Sequence, residues 1–223
     1  MIKTPDLESA AIRAMEILRD HGITETPINP VGFLEEYKNV RVMPFARMAQ
    51  IAGMERKDLI PLFGSNQDAA LFHMAMPGMG TIDYVIVYNM RLPIEIIYRG
   101  IARELGHIAL GHDGQTRHPE ARMAEALTFA HHLLCPRPVI HLIQDSGIPL
   151  TMDVLTETLG CSDVCVSDMQ TIPGVRVPAD LNREIRELFA PHILEYISFH
   201  RSSPMKDRSP VLDLGTYMEN YEE

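Results

Sequence analysis

The sequence lacks the features of a secreted or membrane-spanning protein. Its three cysteines among 223 residues form neither a C-x-x-C pair nor an even set, so we expect no disulfide framework and no four-cysteine metal cage. The first ten residues, MIKTPDLESA, contain no apolar segment of the kind found in signal peptides. No run approaches the roughly 20 apolar residues of a membrane span. We therefore expect a reduced, cytoplasmic protein that contacts no membrane.

Positive charge is also scarce. Twenty Lys and Arg residues face 30 Asp and Glu residues, and the formal net charge of −10 argues against direct binding of nucleic acid. There are no internal repeats and no low-complexity segments. The hydrophobic content of 46% is enough for one good core with a small appendage. We place a main domain at residues 1–175 and a C-terminal helical extension and tail at residues 176–223.

Apolar periodicity and breaker residues predict an α+β fold that is mostly helical, with a small sheet beside a central helix. A strand at 40–43 and a hairpin formed by 69–75 and 82–88, with Pro77, Gly78 and Gly80 in its turn, make up the sheet. The predicted helices cover residues 5–20, 31–37, 118–134, 139–144, 151–159, 161–172 and 178–200, together with a central helix that has Pro93 near its start and Gly111 at its end. We expect Pro191 to break or kink the last helix and the acidic tail to be mobile.

The segment Tyr98 to His112, YRGIARELGHIALGH, invites comparison with H-E-x-x-H, the helix signature of zinc peptidases. There, two His four residues apart hold the metal and the Glu activates a bound water. Glu104 and His107 stand at the base and second-ligand positions, but Arg103 stands at the first. At about 100° per residue all three share one helix face. The neighbouring apolar stripe, which faces the core, is Ile97, Ile101, Leu105 and Ile108.

A second segment, EALTFAHHLLCP from Glu125 to Pro136, lies on the predicted helix that follows. Glu125 stands one turn before Phe129, at the margin of an apolar face. An ionised carboxylate at such a place is costly unless it is paired or bound to a metal. Glu125 is therefore a candidate partner for the charges on the preceding helix.

Together the two segments resemble the ImmA/IrrE family of metallo-endopeptidases, which are associated with phages and mobile elements. ARELGHIALGH resembles the family's A-H-E-L-G-H segment, and EALTFAHHLLCP resembles its E-A-n-x-F-A-x-x-L-L-x-P segment. Ile86 to Asn89, IVYN, resembles the strand that precedes the active helix. The resemblance extends over roughly residues 5 to 175.

The resemblance implies a compact zincin-like fold and cleavage of a partner regulator, typically a phage-type repressor. Residue by residue, it makes Glu104 the catalytic base and His107 and Glu125 zinc ligands. The remaining ligand, the first His of H-E-x-x-H, does not carry over, because Arg103 occupies its position. Leu127 also stands where the family has Asn.

Arg103 cannot replace a histidine ligand, because a guanidinium has no free lone pair. It can instead bond Glu125 or Glu104 and supply the positive charge that zinc would have supplied. We therefore predict an Arg103–Glu125 ion pair, with Glu104 or His107 within hydrogen-bond reach. The expected protein is a catalytically impaired or inactive relative that regulates by binding a repressor-like protein. The alternative is an active zinc endopeptidase with an unexpected third ligand.

Other candidate ligands have weaker spacing. His112 lies about 140° around the helix from His107, as a surface or capping residue would. His131 and His132 follow Glu125 by six and seven residues and are interpreted as packed or interfacial. Cys135, Cys161 and Cys165 are interpreted as core thiols.

Overall fold

The computed structural model confirms an α+β protein that is mostly helical with a small sheet. It describes residues 4–34, 37, 39–59, 61, 68–75, 82–112, 119–202, 210–219 and 221. The predicted hairpin turn at 77–80 and His118 lie outside them. Along the described chain, no helix combines the length and apolar character needed to cross a bilayer.

The strands are β1 (Val40–Pro44), β2 (Ala69–Ala75) and β3 (Ile82–Tyr88). The helices are α1 (Leu7–Asp20), α2 (Pro30–Leu34), α3 (Phe45–Ala52), α4 (Arg56–Leu59), α5 (Ile94–Ala109), α6 (Pro119–Leu134), α7 (Arg137–Asp145), α8 (Met152–Leu159), α9 (Asp163–Thr171) and α10 (Ala179–Ser202). A short 3-10 helix follows at Gly215–Met218.

The chain divides into two units that differ from the sequence-based boundary at 175/176. The terminal unit combines Met1–Ile28 with His118–Glu223, and the middle unit is Asn29–Arg117. The segment expected to be an extension thus belongs to the same unit as α6 to α9. The two segments of the peptidase-like pattern fall in different units. Glu104 lies in the middle unit, and Glu125 lies in the terminal unit.

The sheet of the middle unit has the order β1-β3-β2, with β1 parallel and β2 antiparallel to β3. Alternation along β3 sends Val85 and Val87 to one face, where they pack against α3. Phe45 and Met48 of α3 cover them. The antiparallel pairing of β2 and β3 is the pairing expected of the predicted hairpin.

Helix α5 contacts both β2 and β3. It begins after Pro93 and ends at Ala109, close to the bounds expected from Pro93 at the start and Gly111 at the end. Gly111 has a φ of 65°, the left-handed conformation that glycine adopts without strain, and the chain leaves the helix axis there. His112 is therefore not part of the helix, and the angle of about 140° calculated for an uninterrupted helix does not apply to it.

In the terminal unit α1 packs on α6, and α10 packs on α7 and α1. Helix α10 continues through Pro191, so of the two expected outcomes, a break or a kink, the break is wrong. The expectation of a mobile tail is also wrong for Tyr217 and Glu219. The tail is anchored, because Tyr217 is fully buried and its hydroxyl donates a 2.8 Å hydrogen bond to the carbonyl of Cys135. The buried Arg137 holds the same segment by donating a 2.6 Å hydrogen bond to the carbonyl of Glu219.

Candidate functional site

Arg103 on α5 is almost fully buried, and all three of its guanidinium nitrogens are hydrogen-bonded. Nη1 donates to both oxygens of Asp68 at 3.1 and 3.0 Å. Nε and Nη2 donate to Oε1 of Glu104 at 3.0 and 2.6 Å. Nη2 also donates to the carbonyl of Ala69 at 2.8 Å. The contact with Glu104 agrees with the sequence-based expectation, whereas Asp68 was not predicted.

Arg99, one turn before Arg103, completes a balanced group of charges by approaching Asp68 Oδ2 at 3.2 Å. We call Asp68, Arg99, Arg103 and Glu104 the arginine–carboxylate cluster. Its two positive and two negative charges cancel within the middle unit. The guanidinium of Arg103 therefore does not need Glu125 to balance it, which removes the physical reason for the ion pair predicted with that residue.

The cluster changes the chemistry available to Glu104. Burial raises the pKa of Glu104 above its usual range, against the opposing charge of Arg103. Burial also opposes the charge on Arg103. The carboxylates of Glu104 and Asp68 outweigh the effect of burial and raise the pKa of Arg103 above its usual value. A water-activating base needs an accessible carboxylate oxygen, and Oε1 already accepts two hydrogen bonds from Arg103.

The same side chains cover part of strand β2. Arg103 bonds the carbonyl of Ala69, and the backbone N–H of Leu71 bonds the carboxylate of Glu104. These backbone groups have the same parity along β2 and point to the same side of the strand. An extended peptide that added to β2 at this point would have to displace both side chains.

His107 contacts His112 rather than standing alone. The Nδ1 atoms of the two rings are 2.9 Å apart, and the rings meet edge to face. The turn at Gly111 places His112 beside His107. The backbone N–H of His112 donates a 2.9 Å hydrogen bond to the backbone carbonyl of His107. The residue spacing does not indicate this contact, because the angle of about 140° applies only to a helix that continues to His112.

Glu125 is a buried residue of α6 in the terminal unit. Its Oε1 accepts a 2.7 Å hydrogen bond from the backbone N–H of Asp6, the N-cap residue of α1. A carboxylate is stabilised there by the partial positive charge at the start of a helix. Glu125 thus has a structural role, whether or not it also has the ligand role that the resemblance implies.

The residues at the peptidase-like positions do not fit zinc. Arg103 offers no lone pair, and Glu104 is bonded to Arg103. Of the peptidase-like positions in the middle unit, His107 is therefore the residue that can still act as a ligand. Three protein ligands are usual at a catalytic zinc site. We derive no catalytic step through a metal at this place.

A different group of metal-binding side chains lies in the terminal unit. The Sγ atoms of Cys135, Cys161 and Cys165 lie within 4.8 Å of one another, and the three side chains are buried. We call these residues the cysteine cluster. They could hold a metal ion. In the part of the chain that the structure describes, no other group of three or more His, Cys, Asp or Glu side chains has its ligand atoms within 4.8 Å of one another.

Local structure explains how the cluster forms. Helix α6 ends at Leu134 because Pro136 follows, which leaves Cys135 at the helix end. Gly160, with a φ of 66°, ends α8 and turns the chain so that Cys161 precedes α9. Ser162 caps α9 by accepting from the N–H of Cys165 at 3.2 Å. Cys161 and Cys165 therefore face each other across a helix cap.

His131 joins the cysteine cluster through Cys165, whose Sγ is 3.4 Å from His131 Nδ1. Hydrogen bonds from Cys135 and Cys161, together with the charge of His131, hold the pKa of Cys165 well below that of an ordinary thiol. Burial opposes the charge on His131, but Cys165 and Asp168 outweigh it and raise the pKa of His131 to about 9.

The interpretation of these cysteines as core thiols, and of His131 as a packed residue, did not group them into a metal-binding cluster. The spacing of four between Cys161 and Cys165, at a predicted helix start, is the sequence feature that could have indicated one. No second cysteine pair in the sequence completes a metal site with them. The missing members, His131 and Cys135, come from α6 and its end, which only packing brings near.

No protein-family model matches this chain, no curated protein matches it, and no solved structure matches the fold. The motif residues and the geometry described above therefore carry the functional argument.

Proposed function

We propose that this protein is a non-catalytic relative of the ImmA/IrrE metallo-endopeptidases, with a zincin-like fold, that acts in regulation by binding a protein partner such as a phage-type repressor. The observation that carries the proposal is the buried bond between Arg103 and Glu104 at 2.6 Å. It places a fixed cation at the first-ligand position and ties up the carboxylate that would act as the base.

The fold supports the proposal at the level of architecture. Helix α5 lies beside a small sheet with β2 at its edge, as the ImmA/IrrE resemblance leads one to expect. The first part of β2 is bonded to Arg103 and Glu104, so a partner would bind without adding a strand between Ala69 and Leu71. The net charge of −10 favours a partner with a basic surface.

The proposal is tested with the full chain and a panel of helix-turn-helix repressors, with zinc present. We expect complex formation, measured by isothermal titration, without cleavage in gel electrophoresis. Glu104→Gln should bind with the wild-type dissociation constant, because the residue is not used as a base. Glu95→Gln, at the start of the same helix, is the matched control. Zinc-dependent cleavage that Glu104→Gln abolishes would contradict the proposal, and failure to bind any repressor would exclude this class of partner.

One observation favours the alternative, an active zinc endopeptidase. His112 lies beside His107 and could serve as the unexpected third ligand. The alternative predicts that zinc bound by the wild-type chain is lost on His107→Ala. The proposal predicts that His107→Ala leaves the zinc content unchanged.

Arg103→His provides a further prediction. If the family geometry persists, this substitution restores the third ligand, and zinc affinity should increase over that of the parent chain. The measurement is isothermal titration in a Cys161→Ser background, so that the cysteine cluster contributes no binding. Arg99→His, one turn earlier on the same helix, is the control. Equal affinity in the Arg103→His and parent proteins would mean that the site has diverged from the family geometry.

A further inference from the structure

Two of the three sulfur–sulfur distances in the cysteine cluster have the spacing of a tetrahedral thiolate site. Zinc bound by sulfur at about 2.3 Å places neighbouring sulfurs about 3.8 Å apart, because the ligands occupy the corners of a tetrahedron. The Sγ atom of Cys165 is 3.7 Å from that of Cys135 and 3.9 Å from that of Cys161. Two of the three sulfur–sulfur distances therefore already match zinc coordination.

The third distance is shorter, since the Sγ atoms of Cys135 and Cys161 are 2.7 Å apart. On a metal they would separate by about 1 Å, which small side-chain rotations can supply. Cys135 follows the end of α6, and Cys161 lies between α8 and α9. The adjustment therefore takes place at helix ends and does not require a helix to move.

His131 is the candidate fourth donor, and it would have to move closer to Cys135 or Cys161, because the group whose ligand atoms all lie within 4.8 Å of one another consists of the three cysteines. A nitrogen at about 2.0 Å and a sulfur at about 2.3 Å on one tetrahedral zinc lie about 3.5 Å apart. The Nδ1 of His131 is 3.4 Å from Cys165 Sγ. Its Nε2, fully buried and without a well-aligned hydrogen bond, faces Asp168 Oδ2 at 3.4 Å. A carboxylate behind the second ring nitrogen is how proteins orient metal-bound histidines.

We infer that His131, Cys135, Cys161 and Cys165 bind one zinc ion in a closed structural site, with Asp168 orienting the imidazole. Relative exposures of 0 to 3% for the four ligands exclude an open position for substrate. Three thiolates and one imidazole form a donor set that zinc prefers over Mg²⁺ or Ca²⁺. The ion links the end of α6 to the junction between α8 and α9.

This site is independent of the proposed function, because its four ligands lie in the terminal unit and His107 lies in the middle unit. A structural zinc in the terminal unit is compatible with either an active or an inactive peptidase-like site. Variants of the two units can therefore be read separately.

The test begins with the wild-type full chain, purified under reducing conditions without chelator. Elemental analysis should give about one zinc per chain, and native mass spectrometry should show the metal with all thiols unoxidised. Replacement by Co²⁺ should give the thiolate charge-transfer and visible bands of a tetrahedral cobalt–sulfur site. These measurements use the unaltered protein, so they do not depend on whether a variant folds.

Variants then assign the ligands. Cys161→Ser should lose the zinc, and His131→Asn should lose it or bind it more weakly, whereas His132→Asn should keep it. His132 is an equally buried neighbour whose Nδ1 contacts the carbonyl of Thr128. Asp168→Asn should weaken zinc affinity on the order of 10–100-fold, as removal of an outer carboxylate does. Asp163→Asn, at an exposed position on the same helix, should not.

Three results would overturn the inference. The first is a wild-type chain with three free thiols that binds neither zinc nor cobalt. The second is a protein mass two hydrogens short, which would indicate a disulfide within the cluster in place of a metal. The third is zinc that is kept in Cys161→Ser and lost in His107→Ala, which would place the ion in the middle unit and contradict the proposed function as well.

Discussion

Arg103 determines what the middle unit can do chemically. A guanidinium stays charged at any relevant pH, so a buried one needs hydrogen-bond acceptors, and carboxylates also balance its charge. Asp68 and Glu104 fill that requirement, with Arg99 balancing the second negative charge. The residue that prevents metal binding at this position is thus also the residue that makes the buried carboxylates tolerable.

At the residue scale we predict that Arg103→Ala lowers the free energy of unfolding by about 3–5 kcal/mol, because it removes the arginine bonded to the buried Glu104 and leaves Asp68 with Arg99 alone. Glu104→Ala should also destabilise, and the double variant should lose less than the sum of the single losses. Denaturant titration measures all three. Arg13→Ala, which breaks a partly exposed pair with Glu16, is the control and should cost less than about 1 kcal/mol. Strictly additive losses would show that Arg103 and Glu104 do not stabilise each other.

At the scale of elements, the close approach of α5 to β2 holds the arginine–carboxylate cluster together. A Cβ at Gly100 would lie 3.0 Å from the Cβ of Ala69 and 3.1 Å from the Cγ of Asp68. Arg103 and Glu104 follow three and four residues later and therefore occupy the same helix face. Gly100 lets the helix come near enough for both side chains to reach the strand.

We therefore predict that Gly100→Ala destabilises the protein, although alanine normally stabilises a helix by about 1 kcal/mol relative to glycine. The added methyl group must displace Ala69 or Asp68, which disturbs the contacts of Arg103. Gly32→Ala in α2 is the matched control, because nothing lies within 4 Å of its Cβ position. Thermal unfolding should show a lower midpoint for Gly100→Ala and an equal or higher one for Gly32→Ala. A rise for Gly100→Ala would mean that the helix has room to move away.

At the scale of the whole molecule, the terminal unit is built from an N-terminal segment and a C-terminal segment of the chain. Its N-terminal helix α1 packs on α6, and its C-terminal segment packs near the end of α6 through Tyr217 and Arg137. The Tyr217 hydroxyl is bonded to the carbonyl of Cys135, so the tail also contacts the cysteine cluster. The middle unit is inserted between these two parts of the chain.

The buried position of Tyr217 predicts that the tail contributes to stability. Tyr217→Phe should lower the free energy of unfolding by about 1–3 kcal/mol, because the carbonyl of Cys135 loses its buried donor. Tyr217→Ala should cost about 3–5 kcal/mol, since it removes a fully buried ring. Tyr196→Phe, whose hydroxyl bonds Glu157 at an exposed position, should change stability by less than about 0.5 kcal/mol. Denaturant titration compares them, and equal values for Tyr217→Phe and Tyr196→Phe would indicate a loosely attached tail.

Local patterns in the chain were enough to predict most helices and one contact of the arginine–carboxylate cluster. Apolar periodicity and caps located most helices, and the predicted Thr151 cap of α8 is confirmed by its side chain accepting from the N–H of Val154. The contact between Arg103 and Glu104 followed from their shared helix face. These features depend on residues within a turn or two of one another, so the spacing in the sequence is enough to predict them.

The residues that complete the two clusters are distant in the chain, and packing between separate elements brings them together. Asp68 is 35 residues before Arg103, Cys135 is 26 residues before Cys161, and Tyr217 is 82 residues after Cys135. Each contact depends on which faces of separate elements pack together, and a pattern within one element does not record that choice. The same holds for His112, whose contact with His107 depends on the helix ending before it. Packing of buried faces, more than local spacing, therefore set the partner of Arg103 and brought the three cysteines together.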